Sequence, residues 1–168
     1  MDGATYELNG TCGVVVVTAD DAEVTMPAAQ KLVVRGHSNT IHAKPIDTLV
    51  VRGHDQSIAV TSVRTMRAAS PGSTVQIEGL LEEAQLAKHG LRLTARQISD
   101  LVVTGRSHDV AAQRGYDARV AGDHSDLTFR LLDTVVLTGD DNGVQVRRGT
   151  TVVRNSGSGN AVQVNRRG

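Results

Sequence analysis

Leu32-Val-Val-Arg-Gly36-His-Ser-Asn-Thr-Ile41 is answered seventeen residues later by Leu49-Val-Val-Arg-Gly53-His-Asp-Gln-Ser-Ile58. The same cadence returns at Leu101-Val-Val-Thr-Gly105, at Gly122 and at Val135-Val-Leu-Thr-Gly139. The glycines stand 17 residues apart, from 36 to 53 and from 105 through 122 to 139. A step back from Gly36 reaches Ala19, and a step forward from Gly53 reaches Ser70. A one-residue insertion near Glu82 and Glu83 carries the count to Lys88, and the next step falls on Gly105. The last unit begins near Asn155 with a looser turn, so about nine units tile the chain. Self-similarity at a short fixed period marks a repeat architecture.

Columns taken against the glycine position test that repeat. Four residues before it stand Val15, Leu32, Leu49, Met66, Ala84, Leu101, Ala118 and Val135. Two before it stand Val17, Val34, Val51, Ala68, Leu86, Val103, Val120, Leu137 and Val153. Five after it come Val24, Ile41, Ile58, Val75, Leu93, Val110, Leu127 and Val144. Seven after it come Met26, Ala43, Val60, Ile77, Ala95, Ala112, Phe129 and Val146. Ten after it come Ala29, Ile46, Val63, Leu80, Ile98 and Leu132, with Cys12 one unit earlier. All are apolar. The column between the last two strand positions, from Thr25 and His42 to Thr128 and Gln145, is mostly polar. Period-two alternation inside a longer period predicts short strands, such as 31–35 and 40–43, with one face inward. The recurrent glycine suits a tight corner that needs positive φ.

One such unit cannot bury its inward face alone. Stacked units can, each strand pairing in parallel with its equivalent about 4.8 Å away. The expected fold is therefore all-β: one parallel β-solenoid domain over 1–168, with nine coils making a rod about 43 Å long. Residues 1–12 are expected as an N-terminal cap or first partial coil, and 165–168 as a tail. The stretch 79–90, Gly-Leu-Leu-Glu-Glu-Ala-Gln-Leu-Ala-Lys-His-Gly, is rich in helix formers. It reads as an irregular coil or a short helix, and the fit of Ala84 and Leu86 to inward columns favours the coil.

Composition agrees with a narrow lumen. The 168 residues include 24 Val and 17 Gly but only two Tyr, one Phe and no Trp. Hydrophobic residues make up 39%, enough for a folded chain. Eighteen basic and 18 acidic residues cancel. A nucleic-acid partner is not expected, because neither a basic excess nor aromatic platforms are present. The single Cys12 forbids an internal disulfide and a cysteine zinc framework, and in a core column it is expected to be inert. The longest apolar run, Val14 to Val17, is far short of a membrane span. The first thirty residues show no basic start followed by an apolar stretch.

Units of the form apolar-x-Val-x-Gly-x-x-Asn-x-Val/Ile-x-Val are carried here by Val33-Val-Arg-Gly-His-Ser-Asn-Thr-Ile41 and Leu137-Thr-Gly-Asp-Asp-Asn-Gly-Val-Gln-Val146. Over residues 10–165 the repeat resembles a largely actinobacterial family, the domain of unknown function 3060. The pattern is departed from at Ser70, at Lys88, and where Gln56 or Ser125 replaces the turn Asn. The resemblance implies an exported or lipid-anchored envelope protein whose signal lies upstream of Met1, the cytoplasm being the alternative. It carries over no catalytic residues.

Candidate chemistry lies at the turns. His37 and His54 share a column in adjacent coils, and with Asp20, Asp21 and Asp55 they are the candidate ligands for a divalent metal. A solvated polar turn explains the same residues, because a metal needs three or four converging ligands and a ladder offers a row. Asp140-Asp-Asn-Gly143 lacks the acidic spacing of a calcium loop and reads as turn chemistry. Arg35 and Arg52 stack similarly, and Asp47, Asp100, Asp117 and Asp133 mark an opposite corner as exposed-edge charges. The outward threonines (Thr18, Thr25, Thr94, Thr104, Thr128 and Thr138) are too interrupted for an ice-binding array. A glycosidase would want paired carboxylates and aromatic platforms, and the chain offers only Tyr6, Tyr116 and the inward Phe129. The expectation is a non-enzymatic structural or interaction module without cofactor. A self-associating scaffold and a carbohydrate-binding or -processing protein are the alternatives. The expected partner is another protein, or a second copy meeting the solenoid ends, where Asp2 to Gly10 are polar enough to cap.

Overall fold

The computed structural model describes residues 3–165. It has fifteen strands: β1 (Thr5–Glu7), β2 (Cys12–Val17), β3 (Glu23–Met26), β4 (Ala29–Val34), β5 (Thr40–Ala43), β6 (Ile46–Arg52), β7 (Ser57–Val60), β8 (Val63–Ala69), β9 (Thr74–Leu86), β10 (Arg92–Val103), β11 (Asp109–Val120), β12 (Asp126–Leu137), β13 (Gly143–Val146), β14 (Val152–Asn155) and β15 (Ala161–Val164). Among the described residues no helix is long and apolar enough to cross a membrane.

The strands stack in parallel as the repeat requires. Ile41 pairs with Val24 behind it and Ile58 ahead of it, and Leu49 with Leu32 and Met66. On one face the order runs β1-β3-β5-β7-β9, and on the other β2-β4-β6-β8 joins β9. From β9 to β12 a single bent strand serves both faces, because its start and end pair with different strands of the coil before. Pairing lapses at two columns in these coils, at Arg96 and Gln113 and again at Ser99 and Tyr116. Buried residues lie two apart along a side and three apart across these corners, as in Leu93, Ala95, Ile98, Leu101 and Val103. The section is therefore three-sided, closed by the glycine turn.

The inward columns fill the lumen with one continuous apolar core, and Leu32, Ile41, Leu49, Met66, Leu93 and Val135 are fully buried in it. Each such side chain contributes roughly 1.5–3 kcal/mol by leaving water. Phe129 is also fully buried.

Residues 79–90 follow the favoured coil reading and not the helical alternative, since β9 continues as strand to Leu86 and a turn follows. Three expectations are corrected. The insertion lies at Glu78-Gly79, where the pairing of β10 with β9 jumps from Ala95–Ile77 to Gln97–Leu80. It does not lie at Glu82-Glu83. Consequently Leu81, paired with Val63 and Ile98, takes the inward place expected of Leu80 and is fully buried. Val153 pairs with Val135 rather than with Leu137, because a second extra residue enters between Val146 and Val152.

The third correction concerns the turn glycine. Gly36 and Gly53 do have positive φ, 84° and 92°. Gly105, Gly122, Gly139 and Gly157 do not; a Cβ there would run into the carbonyl oxygen of the equivalent residue one coil earlier. Close stacking of backbones, not left-handed conformation, excludes a side chain at these four. Positive φ falls two residues later in the turn, at Asp21, Ser38, Asp55, Ser107, His124 and Asp141. Asp and His are among the side chains that enter that region most readily, and Ser also suits tight turns.

Candidate functional site

The turn edge carries two parallel ladders, one buried and one exposed. Three residues after the glycine position come Asn39, Gln56, Ser73, His108, Ser125 and Asn142, all buried. Each coil's side chain accepts from the backbone N–H of the coil before. Asn39 Oδ1 accepts from Ala22 N (2.9 Å), Gln56 Oε1 from Asn39 N (3.3 Å) and Ser73 Oγ from Gln56 N (2.9 Å). The series resumes with His108 Nδ1 to Leu91 N, Ser125 Oγ to His108 N, and Asn142 Oδ1 to Ser125 N. It breaks only between Ser73 and Leu91, where the column turns apolar. The amides also donate back: Asn39 Nδ2 to Ala19 O, Gln56 Nε2 to Gly36 O and Asn142 Nδ2 to Gly122 O. Turn groups that would otherwise be orphaned in the interior are thereby satisfied.

His108 fits this ladder imperfectly. Because Nδ1 accepts from Leu91 N, the proton must sit on Nε2, and that buried atom has no hydrogen-bond partner. Burial holds its pKa below the ordinary histidine value, partly opposed by the Leu91 hydrogen bond. Unlike His37 and His54, which directly follow the glycine, His108 stands three residues after it, in the buried column.

The exposed ladder holds the candidate metal ligands. Asp20 Oδ1 accepts from His37 N at 2.7 Å and faces His37 Nδ1 at 3.0 Å. These hydrogen bonds, the side-chain one first, hold the Asp20 carboxyl below its ordinary range. His37 and His54 stack with ring centroids 5.2 Å apart and planes 8° from parallel. Lone pairs in the planes of parallel stacked rings run side by side and do not converge on one ion. The Asp55 carboxylate lies against Gly72 in the following coil, and Asp21 N bonds to His37 O. The structure brings Asp20, His37 and His54 into a row. Among the described residues no group of three or more His, Cys, Asp or Glu is arranged to hold a metal ion. Asp20 here serves as a turn acceptor, as do Asp123 and Asp140, which accept from Asp140 N and Ser158 N in the same way.

The exposed-edge charges pair between coils: Arg64 with Asp47 at 3.1 Å, Arg92 with Asp109 at 3.0 Å and Arg119 with Asp100 at 3.5 Å. Cys12 is half-buried against the core at the first coil. Sequence columns missed one outward set, Arg96, Gln113, Arg130 and Arg147, although they too recur every 17 residues. Comparison with protein-family models, with curated proteins and with solved structures finds no match.

Proposed function

We propose that this chain is a structural module of the bacterial cell envelope that associates end to end, one solenoid continuing another. The observation that supports it is the state of the two end coils. Tyr6 stands in the inward column ahead of Val24, yet Tyr6 is 44% exposed and Val24 3%. At the other end Val153 continues the column of Val135, and exposure rises from 0% to 39%. Val162 and Val164 continue Val144 and Val146 and are only half-covered. Among the described residues the chain forms no helix that could cap either end. Each end thus offers an apolar lumen ringed by strand edges, the feature that native sheets otherwise blunt or cover.

The two ends are not equivalent, since one presents the leading and the other the trailing edge of a parallel stack. Association between unlike surfaces is heterologous and, unless it closes, yields filaments. The envelope location rests on the resemblance of the repeat units. Sedimentation velocity over a wide concentration range tests the reading. Association that strengthens with concentration is expected, and a strict monomer at the highest concentration would overturn it.

A further inference from the structure

A shallow groove of about 730 Å³ runs along the face formed by β9 to β12. Thr94, Ala111 and Thr128 form its floor and Arg96, Arg130, Arg147 and Arg148 its wall, with Glu78 the single carboxylate that lines it. Arg96, Gln113, Arg130 and Arg147 occupy one corner column at 17-residue steps, so Arg130 and Arg147 lie one coil apart, about 4.8 Å. Arg96 lies two coils from Arg130, about 10 Å. Elsewhere Arg64, Arg92 and Arg119 pair with aspartates of neighbouring coils, while among the described residues Arg35, Arg52, Arg67, Arg106, Arg114 and Arg154 are exposed without such a pair but do not line one groove together. Among the described residues the four wall arginines have no carboxylate within ion-pair distance, although the whole chain carries as many acidic as basic residues.

We infer that this groove binds a linear acidic polysaccharide. A row of guanidinium groups along the rod axis matches a polymer with regularly spaced carboxylates or sulfates better than one small anion, and arginine binds such oxoanions bidentately. The floor threonines and Gln113 supply hydroxyl and amide groups for sugar hydroxyls. The floor strands already pair with neighbours on both sides, which leaves no edge for an extended acidic peptide to join. No aromatic ring lines the groove to stack the bases of a single-stranded nucleic acid.

Titration calorimetry at low salt with polygalacturonate, dextran sulfate, neutral dextran and polyglutamate tests this. Binding of one or both acidic polysaccharides is expected, the pair showing whether carboxylate or sulfate is preferred. The double variant Arg130→Glu/Arg147→Glu should weaken it about tenfold or more, with circular dichroism unchanged because both residues are exposed. The control Arg92→Glu/Arg119→Glu, outside the groove wall, should stay within about twofold. Absence of binding, equal binding of neutral dextran, equal binding of polyglutamate, or equal loss in the control would each overturn the inference.

Discussion

Phe129 is fully buried in a lumen otherwise filled by aliphatic side chains, and Gly115 in the coil before makes the room. A Cβ at Gly115 would stand 2.7 Å from the Phe129 ring and 2.7 Å from Leu132 Cδ1. In its own column Phe129 pairs with the small Ala112 on that same side and with Val146 on the other. Gly115→Val should therefore cost about 1–3 kcal/mol by overpacking. In a double-mutant cycle by urea unfolding, Phe129→Ala should cost less in the Gly115→Val background than alone; strict additivity would contradict the contact. His108 supports a second residue-scale prediction. Its folded pKa is lowered, so below about pH 6.5 the unfolded chain binds the proton more readily. The stability due to neutral His108 is complete above that pH and declines as pH falls toward the folded value. His108→Asn, which suits the ladder, should be more stable by roughly 1 kcal/mol near neutrality and should lose part of the decline between about pH 7 and pH 5. An unchanged decline by denaturant midpoint would place its origin elsewhere. Apolar identity and the 17-residue count made the core columns legible in the sequence. The role of His108 was not, because a turn histidine and a ladder histidine differ by one or two positions in a segment without alternation.

Strands were legible wherever alternation and period agreed, as in β5 and β7. They were not where two apolar residues adjoin. Leu80-Leu81 allowed either residue to be inward, and only the bulge at Glu78-Gly79 decides for Leu81. Leu81→Ala should accordingly cost about 2–5 kcal/mol and Leu80→Ala clearly less, since Leu80 is only half-buried. Comparable losses in thermal or urea unfolding would return the insertion to Glu82-Glu83. The turn glycines teach a related point. Their recurrence was visible, but the cause at Gly105 to Gly157 is a carbonyl one coil away, a contact that exists only once the coils are stacked. The arginine column escaped notice because outward positions are free to vary, so periodicity there carries little signal against Gln113 and Glu78.

At the scale of the whole molecule, the shortage of aromatic rings and the open ends belong together. A narrow lumen of small β-branched side chains is built by repetition, and repetition ends only where something covers the last coil. Here the apolar columns run to both ends of the described rod, with Tyr6 and Val153 left in contact with water. The proposed unlike-ended association makes a demand that simple aggregation does not. Tyr6→Asp should block one end and Val153→Asp the other, each leaving the circular dichroism of the parent and neither able to extend a chain. Mixed in equal amounts and followed by sedimentation velocity, the two variants should form a heterodimer through their intact ends and stop there. Two monomeric species that ignore one another, or either variant associating as well alone as in the mixture, would contradict end-to-end continuation of the solenoid.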